Sequence, residues 1–560
     1  MRKSLKRILA ILVMAAVLLS QGAVAFADAP YRSYVQTKWK VDAASPDSYL
    51  ATGWFNAVTA GLDQSFLEPD DMQITDDGDI YILDTKNNRV VIINNKNAEE
   101  EYRAVKVIDQ FYWASAETYM EPPAVIATPA PEEGDAAEGE GEGEGDATEA
   151  AEQPETAEEA PAEEVPADEA PAEVDPRIYT PLNEAKGIFV KGEYIYIADS
   201  GNNRVIKINH DGEISMAFYR PLDKAYTSDT YKPKKVVVDN SDMVYVISET
   251  VFQGAVLFNP DGTFNCFFGS ANVEVTLKLL NDRFWKKIMS KEQKDATARY
   301  VPIEYDNFDI DDAGFIYTCT DFSNTNLEQI RKLNPLGKNI YPLGATINFG
   351  DRQSIFYKQT SKVTKFVEVC VDEDDFIYAV DQERRRIYVF DQEGNTLMTF
   401  GTGSGAQFGT LEKPTGIDTY DGKVFVLDAM QGRVTIFEPT EYGETIIEAV
   451  KLFNDGLYED ALAPWSKVLA LNCNYELAYV GMGEAMLKSE KYAEAVDYFR
   501  KGYAYEKESD AFEKLRDEVV RQNFGWIIVI VLIVMIALLV FTSKGFNAKL
   551  QEMKQRRKKG

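Results

Sequence analysis

The sequence predicts a mainly β protein: a body of six repeated sheet modules, then a short α-helical segment, then one membrane-spanning helix. Three observations predict it. A three-strand pattern recurs six times between residues 60 and 440; apolar spacing turns helical after residue 441; and residues 524–541 (FGWIIVIVLIVMIALLVF) form an 18-residue run without charge.

Composition bounds the function. The 560 residues include 91 Asp and Glu against 59 Lys and Arg, a net charge of −32, with 45% apolar and 12% aromatic residues. That is apolar enough for several cores. The acidity disfavours nucleic-acid binding, which needs a basic face. One histidine, His210, cannot build a site of two or three histidines. Cys266, Cys319, Cys370 and Cys473 show no CxxC spacing, which argues against a zinc ribbon or a dense disulfide framework. Cys319 and Cys370 lie in or beside strands of neighbouring modules and read as buried thiols, with a disulfide between them as the alternative.

Residues 1–27 read as a secretory signal. Arg2, Lys3, Lys6 and Arg7 precede a short apolar run over 8–19, and small residues suit cleavage after Ala27; an uncleaved anchor is the alternative. Residues 28–120 are expected to hold a closing strand and the first module, and residues 177–440 modules two to six. Between them, residues 121–176 contain 20 Asp and Glu, nine Pro, and no Lys, Arg or aromatic residue. Such a segment buries too little apolar area to order itself. Taking its 20 acids from the 91 leaves 71 against 59 bases, so the strong acidity is local. The segment reads as a solvated spacer, or as a lure for cations or a basic partner.

Each module runs from an apolar strand through an Asp/Gly turn to a mostly Tyr-containing strand, a polar loop and a third strand. The second strands are IYILD (80–84), YIYIAD (194–199), MVYVIS (243–248), FIYTCT (315–320), FIYAVD (376–381) and KVFVLD (423–428). Four modules place an Arg five residues after an Asp: Asp84/Arg89, Asp199/Arg204, Asp381/Arg386 and Asp428/Arg433. An Asp at a strand end accepts loop amide hydrogens, and the Arg opening the next strand lies against it, which fixes the hairpin. Repetition marks these pairs as scaffold, since a catalytic set is usually built once.

The pattern resembles the NHL repeat, best in KGIFVKGEYIYIADSGNNRVIKIN and KPTGIDTYDGKVFVLDAMQGRVTIF; Ser248 and Thr320 depart from it. The resemblance implies a six-bladed β-propeller. The last unit then lacks a fourth strand, and GWFNAVTA (53–60) is the natural donor, leaving no open sheet edge. Four antiparallel strands per blade put the second-to-third loops and the blade-to-blade connections on one face. The acidic insert, a second insertion (271–304) and the loop 318–326 share that face, where propellers usually carry ligands. Arg283, Phe284, Trp285, Lys286 and Lys287 form an aromatic-basic cluster there, either a helix packed on the propeller or a surface for an anionic or glycan ligand.

Residues 441–522 show helical spacing. Tyr458, Ala461 and Trp465 recur 34 residues later as Tyr492, Ala495 and Phe499. This resembles the tetratricopeptide repeat (TPR), in which small Ala residues let paired helices approach and an aromatic fills the gap. Pro464 departs from the pattern and is expected to shift or kink its helix. The block reads as a docking surface or a spacer, leading to a span at 523–543. The tail, 544–560, holds seven Lys and Arg against Glu552, which places it in the cytoplasm and the body outside.

The expected function is that of a membrane-anchored extracytoplasmic binding or scaffold protein, not an enzyme, recognising a ligand or partner through its propeller and TPR-like surfaces. The resemblance to bacterial proteins joining NHL repeats, TPR units and one C-terminal span implies partners in envelope or transport machinery, with a glycan as a further ligand. The competing reading is a metal-dependent hydrolase or lyase acting on a small sugar-derived substrate. His210, in an NHDGE turn, reads as a surface residue. The Asp-rich turns suggest calcium but lack the twelve-residue loop spacing, and no cofactor is assigned.

Overall fold

A computed structural model describes residues 29–31, 33–39, 41–95, 102–123, 176–249, 251–269, 305–320, 329–341, 349–351, 364–403 and 407–559. The expected signal, most of the acidic insert, residues 321–326 of the enlarged loop and the cluster Arg283–Lys287 lie outside these residues.

Six antiparallel sheets form a propeller. From the axis outward, blade 1 holds Asp71–Ile74, Ile80–Asp84, Arg89–Asn94 and Arg103–Ile108, and blade 2 holds Ala185–Lys191, Tyr194–Asp199, Arg204–Asn209 and Ile214–Tyr219. Blade 3 follows with Lys232–Val238, Val244–Glu249, Ala255–Phe258 and Phe264–Phe268; blade 4 with Asn307–Ile310, Ile316–Cys319 and Ile330–Leu333. Blade 5 is Phe366–Val371, Ile377–Asp381, Arg386–Phe390 and Thr396–Phe400. Blade 6 takes Pro414–Tyr420, Lys423–Asp428 and Arg433–Pro439 from the end of the ring and closes on an N-terminal strand. Blade 4 has three strands among the described residues, with Asn339 bridging to Leu333 at its outer edge.

N-terminal to the ring lie β1 (Tyr34–Gln36) and β2 (Asp42–Ala44), a small hairpin, and then β3 (Tyr49–Asn56), the closing strand. The closing strand starts and ends four residues earlier than the GWFNAVTA segment. Asn56 ends it: its amide donates to Thr59 Oγ1 at 2.8 Å while its side chain accepts from Thr59 N at 2.9 Å, so the backbone turns.

Apolar side chains from facing blades fill the space between them. The second strands Ile80–Asp84, Ile377–Asp381 and Ile195–Asp199 are buried throughout, which is why they read as nearly continuous apolar runs. The Asp ending the second strand secures the chain entering its own blade. Asp84 accepts from Leu67 N at 2.8 Å, Asp199 from Asn183 N at 2.8 Å and Asp381 from Lys365 N at 3.0 Å. In blade 3, Ser248 does the same work and accepts from Lys232 N at 2.9 Å.

Five long helices follow the ring, α1 (Glu441–Asn454), α2 (Leu462–Leu471), α3 (Glu476–Lys488), α4 (Tyr492–Lys501) and α5 (Tyr505–Thr542), with a sixth, α6 (Lys544–Lys559), at the tail. Consecutive helices α1 to α5 pack side by side. Ala461, Ala495 and Phe499 are buried, and Trp465 nearly so. Tyr458 packs on Phe453, and Tyr492 opens α4 half-buried. Glycines in α3 receive the two large rings: a Cβ on Gly481 would lie 2.7 Å from Trp465 Nε1, and one on Gly483 2.7 Å from the Phe499 ring. The second helix of the first pair begins at Leu462, one turn later than its counterpart at Tyr492, because Pro464 cannot donate an amide and is tolerated only in the first turn.

Blades 5 and 6 and the helical region share one core: Tyr49, Phe400 and Phe437 pack with Tyr442, Ile446 and Trp465. Chain direction fixes the geometry. The third strand of blade 6 ends among the first-to-second strand turns, and α1 starts there; Lys451 Nζ lies 2.7 Å from Asp374 in that turn of blade 5. The described blade-to-blade connections open on the other face. The helix α5 runs 38 residues without a break, about 57 Å at ~1.5 Å per residue, and is the one described helix long and apolar enough to cross a membrane.

Candidate functional site

A buried polar cluster occupies the propeller axis. In blades 2, 3, 5 and 6 the inner strand carries a register shift just before Gly187, Lys235, Glu368 and Gly416. These four hold one repeat position; the inner strands of blades 1 and 4 begin with Asp71 and Asn307 at the corresponding place. Two of the six are glycine, as in the motif that resembles NHL. The other four are polar and meet.

Lys235 Nζ lies 2.8 Å from both Asp71 oxygens and 2.9 Å from Glu368 Oε1, joining blades 1, 3 and 5. Asn307 donates to Glu368 Oε2. Asp71 also accepts from Ile188 N at 2.8 Å and Met72 N at 2.9 Å. All four side chains are buried. Two residues further along, Asp309 accepts from Val371 N and Asp418 from Ile74 N, at 2.9 and 2.6 Å, and Gln73 accepts from Val190 N at 2.6 Å. Each of these joins one blade to the next.

Burial works against the charge on Lys235, but Asp71 and Glu368 overcome it and raise its pKa, so it stays protonated. Burial raises Asp71, with Lys235 and two backbone amides opposing it. Glu368 is pushed well up by burial, with Asp71 adding to the shift against Lys235. Burial lifts Asp309 to about 6 and Asp418 to about 7. Two carboxyls therefore hold one ammonium, and two more, raised by burial towards neutral pH, lie two residues further along the inner strands. The arrangement can tie blades across the axis and exchange protons. Among the described residues, no group of three or more His, Cys, Asp or Glu side chains is placed to hold a metal ion.

Sequence reasoning missed this cluster. The signal lay in the repeat: aligned on Gly187 and Gly416, the other modules carry Asp71, Lys235, Asn307 and Glu368.

The expected pairs divide. Arg89 Nε lies 2.8 Å from Asp84 Oδ2, and Arg204 Nε 2.8 Å from Asp199 Oδ2. Asn87 and Asn202 donate to the same oxygens at 2.8 Å. Asp381 faces Arg386 and Asp428 faces Arg433 in register, but neither forms the ion pair. Arg386 turns to Asp351 and Tyr34. Arg433 donates to Thr410 O at 3.2 Å and lies over Trp54, while backbone amides, among them Met430 N and Gln431 N, take Asp428. His210 meets Tyr81 Oη at 2.9 Å across blades 1 and 2. Cys319 and Cys370 are buried and free.

No family model and no curated protein matches the chain. Solved structures match in fold. A virginiamycin B lyase from Staphylococcus aureus is 9% identical, with 70% of this chain and 99% of that one covered at a TM-score of 0.35. A catalytically inactive variant of that lyase with quinupristin is 10% identical at 0.36, over the same shares. The extracellular domain of a one-component system from B. thetaiotaomicron is 9% identical over 74% of this chain and 38% of that one, at 0.33. These are likenesses of fold. They correct the expectation that the chain is not an enzyme: structures sharing its fold are of a lyase, so the propeller gives no ground for excluding catalysis.

Proposed function

We propose that this is a membrane-anchored extracytoplasmic recognition protein, of NHL and TPR type, whose insertion-bearing face meets a ligand or partner while α5 fixes the body to the bilayer. One observation carries the reading: the blade-to-blade connections and the helical region leave the propeller from opposite faces, and the last long helix runs without a break into the apolar stretch. In this reading the connecting face is turned away from the anchor. The signal at 1–27 and the basic tail support a body outside and a tail inside. Partners in envelope or transport machinery, and a glycan as ligand, follow from the motif resemblance.

Photo-crosslinking on intact cells tests this. Probes at Lys86 and Glu412, on the connecting face, should give adducts; probes at Glu193 and Ser241, in the opposite turns, should give none. Adducts from the second pair alone, or protease that trims the tail of intact cells and spares the blades, would overturn it.

A further inference from the structure

Arg386 stands between two carboxylates. In blades 1 and 2 the corresponding Arg bonds to the Asp opposite it, at 2.8 Å in both. Blade 5 keeps that register, with Asp381 opposite Arg386. Arg386 Nη1 nevertheless lies 3.2 Å from Asp351 Oδ2 and donates to Tyr34 Oη at 2.9 Å. Asp381 Oδ2 is buried without a hydrogen bond, 3.8 Å from Arg384 Nε. Asp351 collects the other donors: Tyr34 Oη at 2.6 Å, Gln36 Nε2 at 2.6 Å and Arg384 Nη1 at 2.8 Å.

Tyr34 and Gln36 belong to the N-terminal arm that carries β1 and β2, which the body holds by these polar contacts and by Tyr31 and Val35 packed against its core. Tyr34 is buried, but at the hairpin tip Trp39 is 65% and Val41 61% exposed. Lys38 N donates to Glu476 at 2.7 Å, and Ser33 to Asp47 at 2.5 Å within the arm. A cavity of roughly 40 Å³ remains beneath it, between Tyr34, Gln36, Thr396, Met398, Tyr475 and Leu477. A ladder of three residue pairs with an exposed tip is the kind of segment that opens before the blades do.

We propose that the arm is a releasable strap over the seam between blade 5 and the helical region, and that Arg386 is its two-position catch. Docked, Arg386 sits with Asp351 and Tyr34 and leaves Asp381 Oδ2 without a bond. Released, Asp351 keeps Arg384, and Arg386 takes Asp381 in the geometry of blades 1 and 2. Neither state strands the guanidinium, which is what lets the element rest in either position. Release uncovers the outer strand Thr396–Phe400 and the start of α3.

Peptide-resolved hydrogen–deuterium exchange on the full-length protein in detergent tests the catch. In Asp351→Asn, residues 33–48 should exchange about tenfold faster, with residues 396–400 faster too and blades 1 to 3 unchanged. Tyr34→Phe should act in the same direction, less strongly. Asp381→Asn removes the second seat and should leave arm exchange at or below the wild-type rate. The proposal falls if arm exchange in Asp351→Asn stays within about twofold of wild type, or if Asp381→Asn frees the arm as much. It falls equally if Asp351→Asn and Tyr34→Phe both lose protection over all blades together, since the arm would then belong to the global fold.

Discussion

Replacing Lys235 by Met removes the one cation from a buried set of carboxyls. Three charge-assisted contacts, two at 2.8 Å and one at 2.9 Å, disappear, and Asp71 and Glu368 are left buried without a counter-charge. Breaking a buried pair from one side costs about 3–5 kcal/mol. Total stability for a domain is about 5–15 kcal/mol, so the ring should open at a far lower denaturant concentration. Urea unfolding of the full-length protein in detergent, followed by tryptophan fluorescence, reads this directly. Lys235→Met combined with Asp71→Asn and Glu368→Gln should recover most of the loss, because no charge is then buried alone and Asn can still accept from Ile188 N. The single variant should also gain stability as pH falls from 7 towards 5, as the stranded carboxyls take up protons. A single variant within about 1 kcal/mol of wild type, or a triple variant no better than the single, would refute a load-carrying axial triad.

Two further outcomes follow from the geometry. Asp309 and Asp418 have folded pKa values raised to about 6 and about 7, above the unfolded carboxyl value, so their contribution is fully present below about pH 4 and is lost as pH rises through 6 to 7. Asp309→Asn with Asp418→Asn should therefore flatten the decline in thermal midpoint between pH 4 and 7.5; an unchanged slope counts against protonation at the axis. Gly483→Ala places a methyl 2.7 Å from the buried Phe499 ring and should cost about 1–3 kcal/mol despite the better helix propensity of Ala, read as faster exchange in α3 and α4 with the blades unaffected.

The blades were legible in the sequence because their signal is local. A Tyr-rich second strand, an Asp at its end and an Asn-Asn-Arg loop each act within about twenty residues. The Asn pair was readable for a stereochemical reason: Asn88 and Asn203 sit at φ 52° and 53°, a left-handed conformation that Asn tolerates. Arg385 holds the same place in blade 5 at φ 60°, and there the expected ion pair failed. The axial cluster was not read, because its members lie in different blades and a register shift decides which residue of the inner strand faces the axis. Nor could local pattern show that Tyr34 would meet Asp351, 317 residues away, and that this carboxylate would draw Arg386 from its repeat partner.

The shared core between ring and helices bears on how α5 could hold the body. A string of separate units would leave the propeller free to swing above a membrane. Here Tyr475 donates to Leu397 O at 2.9 Å, Trp465 and Met482 pack in one cluster with Phe400 and Phe437, and α5 packs on α4 before continuing towards the apolar stretch. Ala511 is its one fully buried residue, Leu515 still packs on the same cluster, and beyond it the helix runs without a Gly or Pro until Gly525. A helix that is continuous across its exit transmits orientation, and a bend at its base is a bend of the whole body. If α5 anchors the body as proposed, whatever meets the connecting face is held at a set height and tilt, and the N-terminal arm is the proposed place of slack.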